Sequence, residues 1–492
     1  MRKIALLSAL FLGTSTISFA QYELSSFCNT GHGGATTFAT DYQATGINPA
    51  NLGWDYRYTK KKFAMGYAEL TSSLYSEALT KTELRGVIAD MVNGGGSDFT
   101  QQQKKNAARK FAETGATFNA NLGAFGAAFI TKRAGGFGFR INDSYQAYCK
   151  LGKDAADLLF LGKNSSVFDK LTLLNSSGAT VQIDNYENMS PDSVKMVVNG
   201  YSTLPKQMSK ILNGSEMTFT WTREYNLSYG KKIFGDSVFA MYGGIGLKYF
   251  QGLALINVKS ENDQLTGYSS LTPAFDIDYG TAVKKANEIR QSGALPKPVG
   301  TGFGMDFGLN IMIKNKLKIG ASYINAGSIK WNGNLYSVKD TVLFSTTNVG
   351  LQNYNVFGQL KDLFGKEGLL KMEGEQEKIV KLPGVFRTGA SLVIGKVAEI
   401  GIDCIFPMSD VPGKLNKPLI GFGGDLYPVK WLKLQAGFIT GGNYDFSVPL
   451  GIIFIAKEGT YECGIASRDA VTFFTQNGPT LSLSTGFMRF RF

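Results

Sequence analysis

The chain has little material for catalysis. Its 492 residues include one histidine, His32. A Ser-His hydrolase needs that side chain beside a nucleophile, and a zinc site needs further His or Cys close to it; neither pattern occurs. The four cysteines, Cys28, Cys149, Cys404 and Cys463, share no metal-ligand spacing and read as free, mostly buried thiols. The glycine run "NGGGS" at 93–97 is followed by no Lys-Ser/Thr, so it is no phosphate loop. Asp-rich calcium loops are lacking too. The expectation is a non-enzyme with no cofactor and no metal.

Long apolar runs are missing as well. Beyond the N-terminus no stretch of about 18 apolar residues occurs, and 18% of residues are charged at a mean hydropathy of −0.06, which excludes a bundle of membrane helices. The net charge is +12, but its Lys and Arg are scattered singly rather than in blocks. That argues against nucleic acid and for acidic lipid headgroups or lipopolysaccharide as the counter-surface.

What is abundant is glycine, 59 residues, and aromatics at 12%. Residues 1–20 read as a secretory leader: Arg2 and Lys3, the apolar "IALLSALFLG", then Ser18-Phe19-Ala20 as a small-x-small cleavage site. Several later segments alternate with period two. In "AEIGIDCIF" Ile400, Ile402, Cys404 and Phe406 take one face, and Glu399, Gly401 and Asp403 the other. A soluble sandwich and a lipid-facing barrel both produce that pattern. The turns discriminate. Strands placed from residue 61 onward number fourteen, and "TKRAGG", "KKIFGD", "KNK", Gly395–Lys396, "PVK" and "KEG" fall after every second one. The remaining connections include four long ones, at 71–116, 149–215, 258–298 and 333–382. Short turns at one end, long loops at the other and an even strand count describe an all-β transmembrane antiparallel barrel. Its sheet must close, because acyl chains cannot satisfy an edge. Sixteen strands stay open if 237–262 or a long loop holds another hairpin.

The chain ends "LSLSTGFMRFRF". Met488, Phe490 and Phe492 share the lipid face at the rim, where an aromatic girdle belongs, and Arg489 and Arg491 point inward. Leu481 and Leu483 have inward parity, so either a bulge near Gly486 switches the faces or the lumen is partly apolar. The ending resembles the C-terminal signal that hands such barrels to their insertion machinery, expected as a partner. Residues 21–60 lack alternation and contain "GHGGATTFATDYQATGINPANLGW". This segment is expected to fold back as a plug, leaving 61–492 as the barrel.

At "INPANLG" the sequence resembles the FadL-type outer-membrane transporters of hydrophobic compounds, whose N-terminal hatch carries an Asn-Pro-Ala triplet; here it is Asn48, Pro49 and Ala50. The "YECGIASRD … LSLSTGFMRFRF" ending resembles an uncharacterised family of Bacteroidota outer-membrane barrels. The resemblance implies a plugged barrel that admits hydrophobic molecules and releases them laterally through a kink in its wall. With His32, the triplet forms the candidate ligand and plug site. Asp306, Arg387, Glu399, Asp403 and Lys433 form the candidate polar network of the lumen.

The loops contain apolar patterns of short helices: Leu84, Val87, Ile88, Met91 and Val92; Ala107, Ala108, Phe111 and Ala112; and Leu158, Leu159, Leu161 and Phe168. They read as a lid or as an external funnel. The expected protein is a monomer in the bacterial outer membrane. Its function is either passive uptake of hydrophobic or amphipathic, fatty-acid-like molecules, or anchorage of loops that bind a secreted or surface partner.

Overall fold

The computed structural model describes residues 26–34, 36–54, 61–76, 99–113, 115–131, 133–186, 189–278, 286–352, 369–411, 415, 417–442, 444–471 and 480–492. The leader at 1–20, the helix pattern at Leu84, Val87, Ile88, Met91 and Val92 and the glycine run at 93–97 lie outside these residues.

Alternating segments with one apolar face form fourteen antiparallel barrel strands. In chain order they are β1 (Phe63–Ser76), β2 (Ala116–Thr131), β3 (Gly135–Lys150), β4 (Ser215–Gly235), β5 (Phe239–Glu261), β6 (Gly300–Ile313) and β7 (Leu317–Trp331). The second half comprises β8 (Val385–Ile394), β9 (Ala398–Pro407), β10 (Leu419–Val429), β11 (Leu432–Gly441), β12 (Leu450–Ala456), β13 (Tyr461–Ser467) and β14 (Thr480–Arg491). Each pairs with its chain neighbour, and β14 pairs with β1 from Ala64↔Arg491 to Tyr75↔Thr480. The sheet closes, and no barrel edge is left to solvate. The stretch 237–262 holds one unbroken strand rather than a second hairpin.

The outward faces explain the solvent. Phe303 and Phe307 of β6 are 71% and 45% exposed, and Ile400 and Ile402 of β9 are 42% and 45% exposed. Apolar exposure of this density around a closed wall suits acyl chains, not water. No helix among the described residues is long and apolar enough to cross a membrane; the strands do the crossing.

The parity conflict in the last strand has a local cause. Phe487 and Met488 both point outward, at 55% and 48% exposure, where β14 slips by one residue against β13 between Glu462 and Gly464. Leu483 is thereby outward above the bulge, while Arg489 is inward below it. The same switch occurs at the same level in β1, at Tyr67–Ala68, where Ala68 has φ 50°. In β2 it occurs at Ala124–Phe125. Tyr67 lies opposite both Met488 and Phe125, so three adjacent strands share one bulged seam.

The expected loop boundaries need correction. β1 runs on to Ser76 and β5 to Glu261. The wall continues past the barrel through Gln264–Leu271, Leu335–Lys339 and Lys371–Gly374, which pair in succession from β5. The insertions do contain helices, α1 (Gln101–Glu113) and α2 (Lys153–Leu161). They also hold a four-stranded sheet, in the order Val342–Thr346, Val197–Gln207, Lys170–Leu174 and Thr180–Asp184. Three of its strands are five residues long, too short for period two to stand out, and one comes from a loop far along the chain. Ala107, Ala108 and Phe111 of α1 bury against Ala155, Leu158 and Phe160 of α2, so the apolar faces cover each other.

Candidate functional site

Residues 26–34 and 36–54 lie inside the barrel at the end carrying the short turns. Short 3-10 turns, Asp41–Ala44 and Pro49–Gly53, organise them, and almost every described residue is buried. The segment touches all fourteen strands. Glycines at inward positions make this possible: a Cβ on Gly244 of β5 would lie 2.4 Å from the backbone N of Ala50, and one on Gly230 of β4 2.3 Å from the carbonyl of Pro49. Equivalent glycines meet Tyr42 (Gly66 and Gly126), Leu52 (Gly136), Asn48 (Gly308), His32 (Gly423 and Gly437) and Phe27 (Gly486). Without side chains there, the plug's backbone lies directly on the wall's.

The Asn-Pro-Ala triplet is one such contact. Asn48 caps the turn Pro49–Gly53, its Oδ1 accepting from Ala50 N at 3.1 Å, with Pro49 at the first position. The side-chain amides of Asn48 and Asn51 each meet that of Asn310 on β6, at 2.7 and 2.6 Å. Asn51 also donates to the carbonyls of Thr36 and Ala39, which ties the two arms of the plug together.

His32 is buried, with Nδ1 accepting from Gly34 N at 3.3 Å and its ring 4.2 Å from that of Phe38. Burial lowers its pKa below the usual imidazole value, against the raising effect of Asp425, whose Oδ1 stands 3.8 Å from Nε2. Its neighbours are plug and wall.

The five charged lumen candidates take part in four ion-pair links. Asp306 pairs with Lys248 at 3.1 Å, and Lys248 also faces Glu224 at 3.6 Å. Arg387 reaches Asp403 at 3.4 Å and Thr36 Oγ1 at 3.3 Å, while Asp403 accepts from Thr36 N, so this pair clamps the plug. Glu399 pairs with Lys318 at 2.8 Å and accepts from Ser391. Lys433 pairs with Asp425 at 3.3 Å, next to His32.

A fifth link joins the last strand to the plug. Arg489 holds Asp41 at 2.6 Å and Glu462 at 2.5 Å, and Arg491 reaches the same two carboxylates at 2.8 and 3.3 Å. Tyr42 donates to Glu69 at 2.5 Å behind the bulged seam. Below the plug a cavity of about 370 Å³, lined among others by Lys61, Lys318, Lys433, Glu399, Glu462 and Arg491, faces the short-turn end. Phe490 and Phe492 stack 6.4 Å apart at that rim, with Met488 at the seam above them.

This chain is a closed fourteen-stranded transmembrane-type barrel with an N-terminal segment lodged inside it. Residues 176–401 match the model of a family described as a family of unknown function, DUF5723. No curated protein matches. Among solved structures the chain is similar to the toluene transporter TodX of Pseudomonas putida, at 10% identity and a TM-score of 0.40, over 96% of this chain and 98% of that one. It is also similar to a FadL homologue of Pseudomonas aeruginosa, at 10% identity and a TM-score of 0.38, over 96% and 97%. A third is the toluene transporter TbuX of Ralstonia pickettii, at 9% identity and a TM-score of 0.41, over 94% and 99%.

Sequence reasoning missed Lys248, Glu224, Lys318, Asp425, Glu462, Glu69 and Tyr42. A signal existed for most of them, since charged residues at inward parity on a lipid-facing strand must find partners inside. Which partner each finds depends on strands distant in sequence.

Proposed function

We propose that this protein is a bacterial outer-membrane channel through which hydrophobic or amphipathic small molecules pass passively. The observation that carries the reading is the contact between plug and seam. Tyr42 lies on Gly66 and Gly126, the two inward glycines beside the bulges of β1 and β2, where a Cβ would come within 2.0 and 2.2 Å of it. Bulges break regular ladder pairing and bend strands, so this stretch of wall is the most easily parted. A molecule entering from the loop side meets a plug that blocks the periplasmic end. Movement of Tyr42 and Gln43, both bonded to Glu69, uncovers the seam and offers lateral release into the membrane.

The test is a cross-link. Tyr67 and Phe125 face each other across β1 and β2, so Tyr67→Cys with Phe125→Cys locks the seam on oxidation. In liposomes with a lipopolysaccharide outer leaflet, uptake of a labelled fatty acid should fall on oxidation and return on reduction. Uptake that ignores the lock removes the lateral route, and uptake no faster than in protein-free liposomes removes the channel.

A second reading, a membrane anchor for partner-binding loops, draws on the surface sheet. There Leu204 is 84% and Phe344 59% exposed, more than a monomer's loop needs. Leu204→Ser with Phe344→Ser should abolish partner retention while leaving the barrel folded if that reading is correct.

A further inference from the structure

Above the plug, the inner wall of five adjacent strands has a chemistry that the uptake reading does not use. In one cross-strand row Ser484, Thr71, Asn121, Ser144 and Thr222 follow one another on β14, β1, β2, β3 and β4. Two residues nearer the long-loop end, Asn119 lies opposite Gln146 and Gln146 opposite Thr220. Every one of these side chains is an uncharged amide or hydroxyl. Charge begins one row nearer the plug, where Glu224, Lys248 and Asp306 pair among themselves.

Part of the row is unsatisfied. Asn119 and Asn121 are 8% and 9% exposed and Ser144 is 5%, yet Asn119 Oδ1, Asn121 Oδ1 and Ser144 Oγ have no hydrogen-bond partner. Asn142 Oδ1, one row down, has none either. A buried polar atom left unpaired costs about 1–3 kcal/mol, so such a cluster indicates a ligand or ordered water. The amide oxygens are acceptors and require a donor. A carboxylate or sulfate offers only acceptors and finds no cation within these rows; the lysine lining the cavity beside them, Lys381, belongs to the facing wall and is exposed. A sugar hydroxyl donates and accepts.

The facing wall is apolar. Phe250, Ile329, Trp331 and Leu382 bury together, and the Trp331 indole lies across Gly252 and Gly300, where a Cβ would come within 2.5 and 2.9 Å of its ring. A cavity of about 40 Å³ is shared by Gln146, Thr220 and Thr222 with Phe250 and Trp331. That volume holds only a few waters, so a molecule passing there must displace side chains of both walls.

We infer that the molecules admitted are amphiphiles with a neutral, polyhydroxylated head, of the alkyl glycoside type, and that the β14–β4 amide and hydroxyl rows read the head while the Trp331 wall takes the chain. This rests on the uptake reading above and narrows its substrate.

Full-length protein in lipopolysaccharide-containing liposomes is offered hexyl β-glucoside, hexyl sulfate or free glucose below lytic concentration, with fatty-acid uptake measured in parallel. Hexyl glucoside should enter at least ten-fold faster than the other two probes. Asn121→Leu with Ser144→Ala should lower its rate about ten-fold, as expected for lost buried hydrogen bonds, without changing hexyl sulfate. Asn121→Gln, which keeps an amide, should retain the preference, and heat-modifiable electrophoretic mobility checks that each variant forms a closed barrel. Hexyl sulfate entering as fast as the glucoside, or a preference untouched by the double variant, overturns the head-group inference while the channel stands. Free glucose entering equally overturns the role of the apolar wall. If no amphiphile, fatty acid included, enters faster than in protein-free liposomes, the uptake reading itself falls.

Discussion

Two neighbouring glycines on β5 provide a sharp test of how the plug is held. Gly244 points inward and Gly243 outward, one residue apart in the same strand. A Cβ at Gly244 would sit 2.4 Å from Ala50 N and from the Pro49 carbonyl carbon, all plug backbone. At Gly243 it would meet only the side chain of Ile233, at 2.8 Å from the flexible Cδ1. Ordinary contact begins at 3.4 Å, so Gly244→Ala forces the Asn-Pro-Ala turn back by about 1 Å. Overpacking of this kind costs about 1–3 kcal/mol, and the strained state here is the seated plug, not the closed barrel. The ratio of seated to unseated plug should then fall about 5- to 150-fold relative to wild type. Ion conductance of single molecules in a planar bilayer reports it directly. Gly244→Ala should show frequent open events, and Gly243→Ala should match wild type. Equal behaviour of the two variants, leaky or tight, would refute backbone contact with the wall as what seats the plug.

Other expectations follow from the same geometry. Arg489→Ala leaves the buried carboxylates of Asp41 and Glu462 with Arg491 as their one remaining arginine partner and should destabilise the folded barrel, by up to about 3 kcal/mol, read as a lower temperature of heat-modifiable unfolding. Phe160→Ala empties a site between Phe99 and Phe111, and at about 3–5 kcal/mol should release α1 and α2 to protease without opening the barrel. Asp236, in the β4–β5 turn, accepts from Phe239 N and Val238 N, and these bonds lower its pKa. A depressed carboxylate stabilises the fold above its unfolded pKa of about 3.9 and loses that effect as pH falls through the folded value. The unfolding midpoints of wild type and Asp236→Ala should therefore differ at neutral pH and converge in acid.

The period-two segments and the alternation of short with long connections already pointed to a closed barrel of about fourteen strands, with sixteen left open, because both are local patterns and a barrel repeats one local unit. The charged residues at inward parity were legible for the same reason. Their partners were not. Lys248 meets Asp306 and Arg489 meets Asp41 only once closure brings strands and plug together. Glycine abundance was visible as a count, yet its purpose was not, since Gly66, Gly244 and Gly308 acquire a common role only when one segment crosses all of them.

What the chain determined by itself was the two-faced character of each strand and the alternation of short turns with long loops, since both depend on side-chain chemistry and turn residues local in the sequence. Tertiary structure decided the bulged seam and the route of the plug. It also decided the neutral row facing Trp331, for register between strands hundreds of residues apart depends on how the closed sheet packs around what it contains.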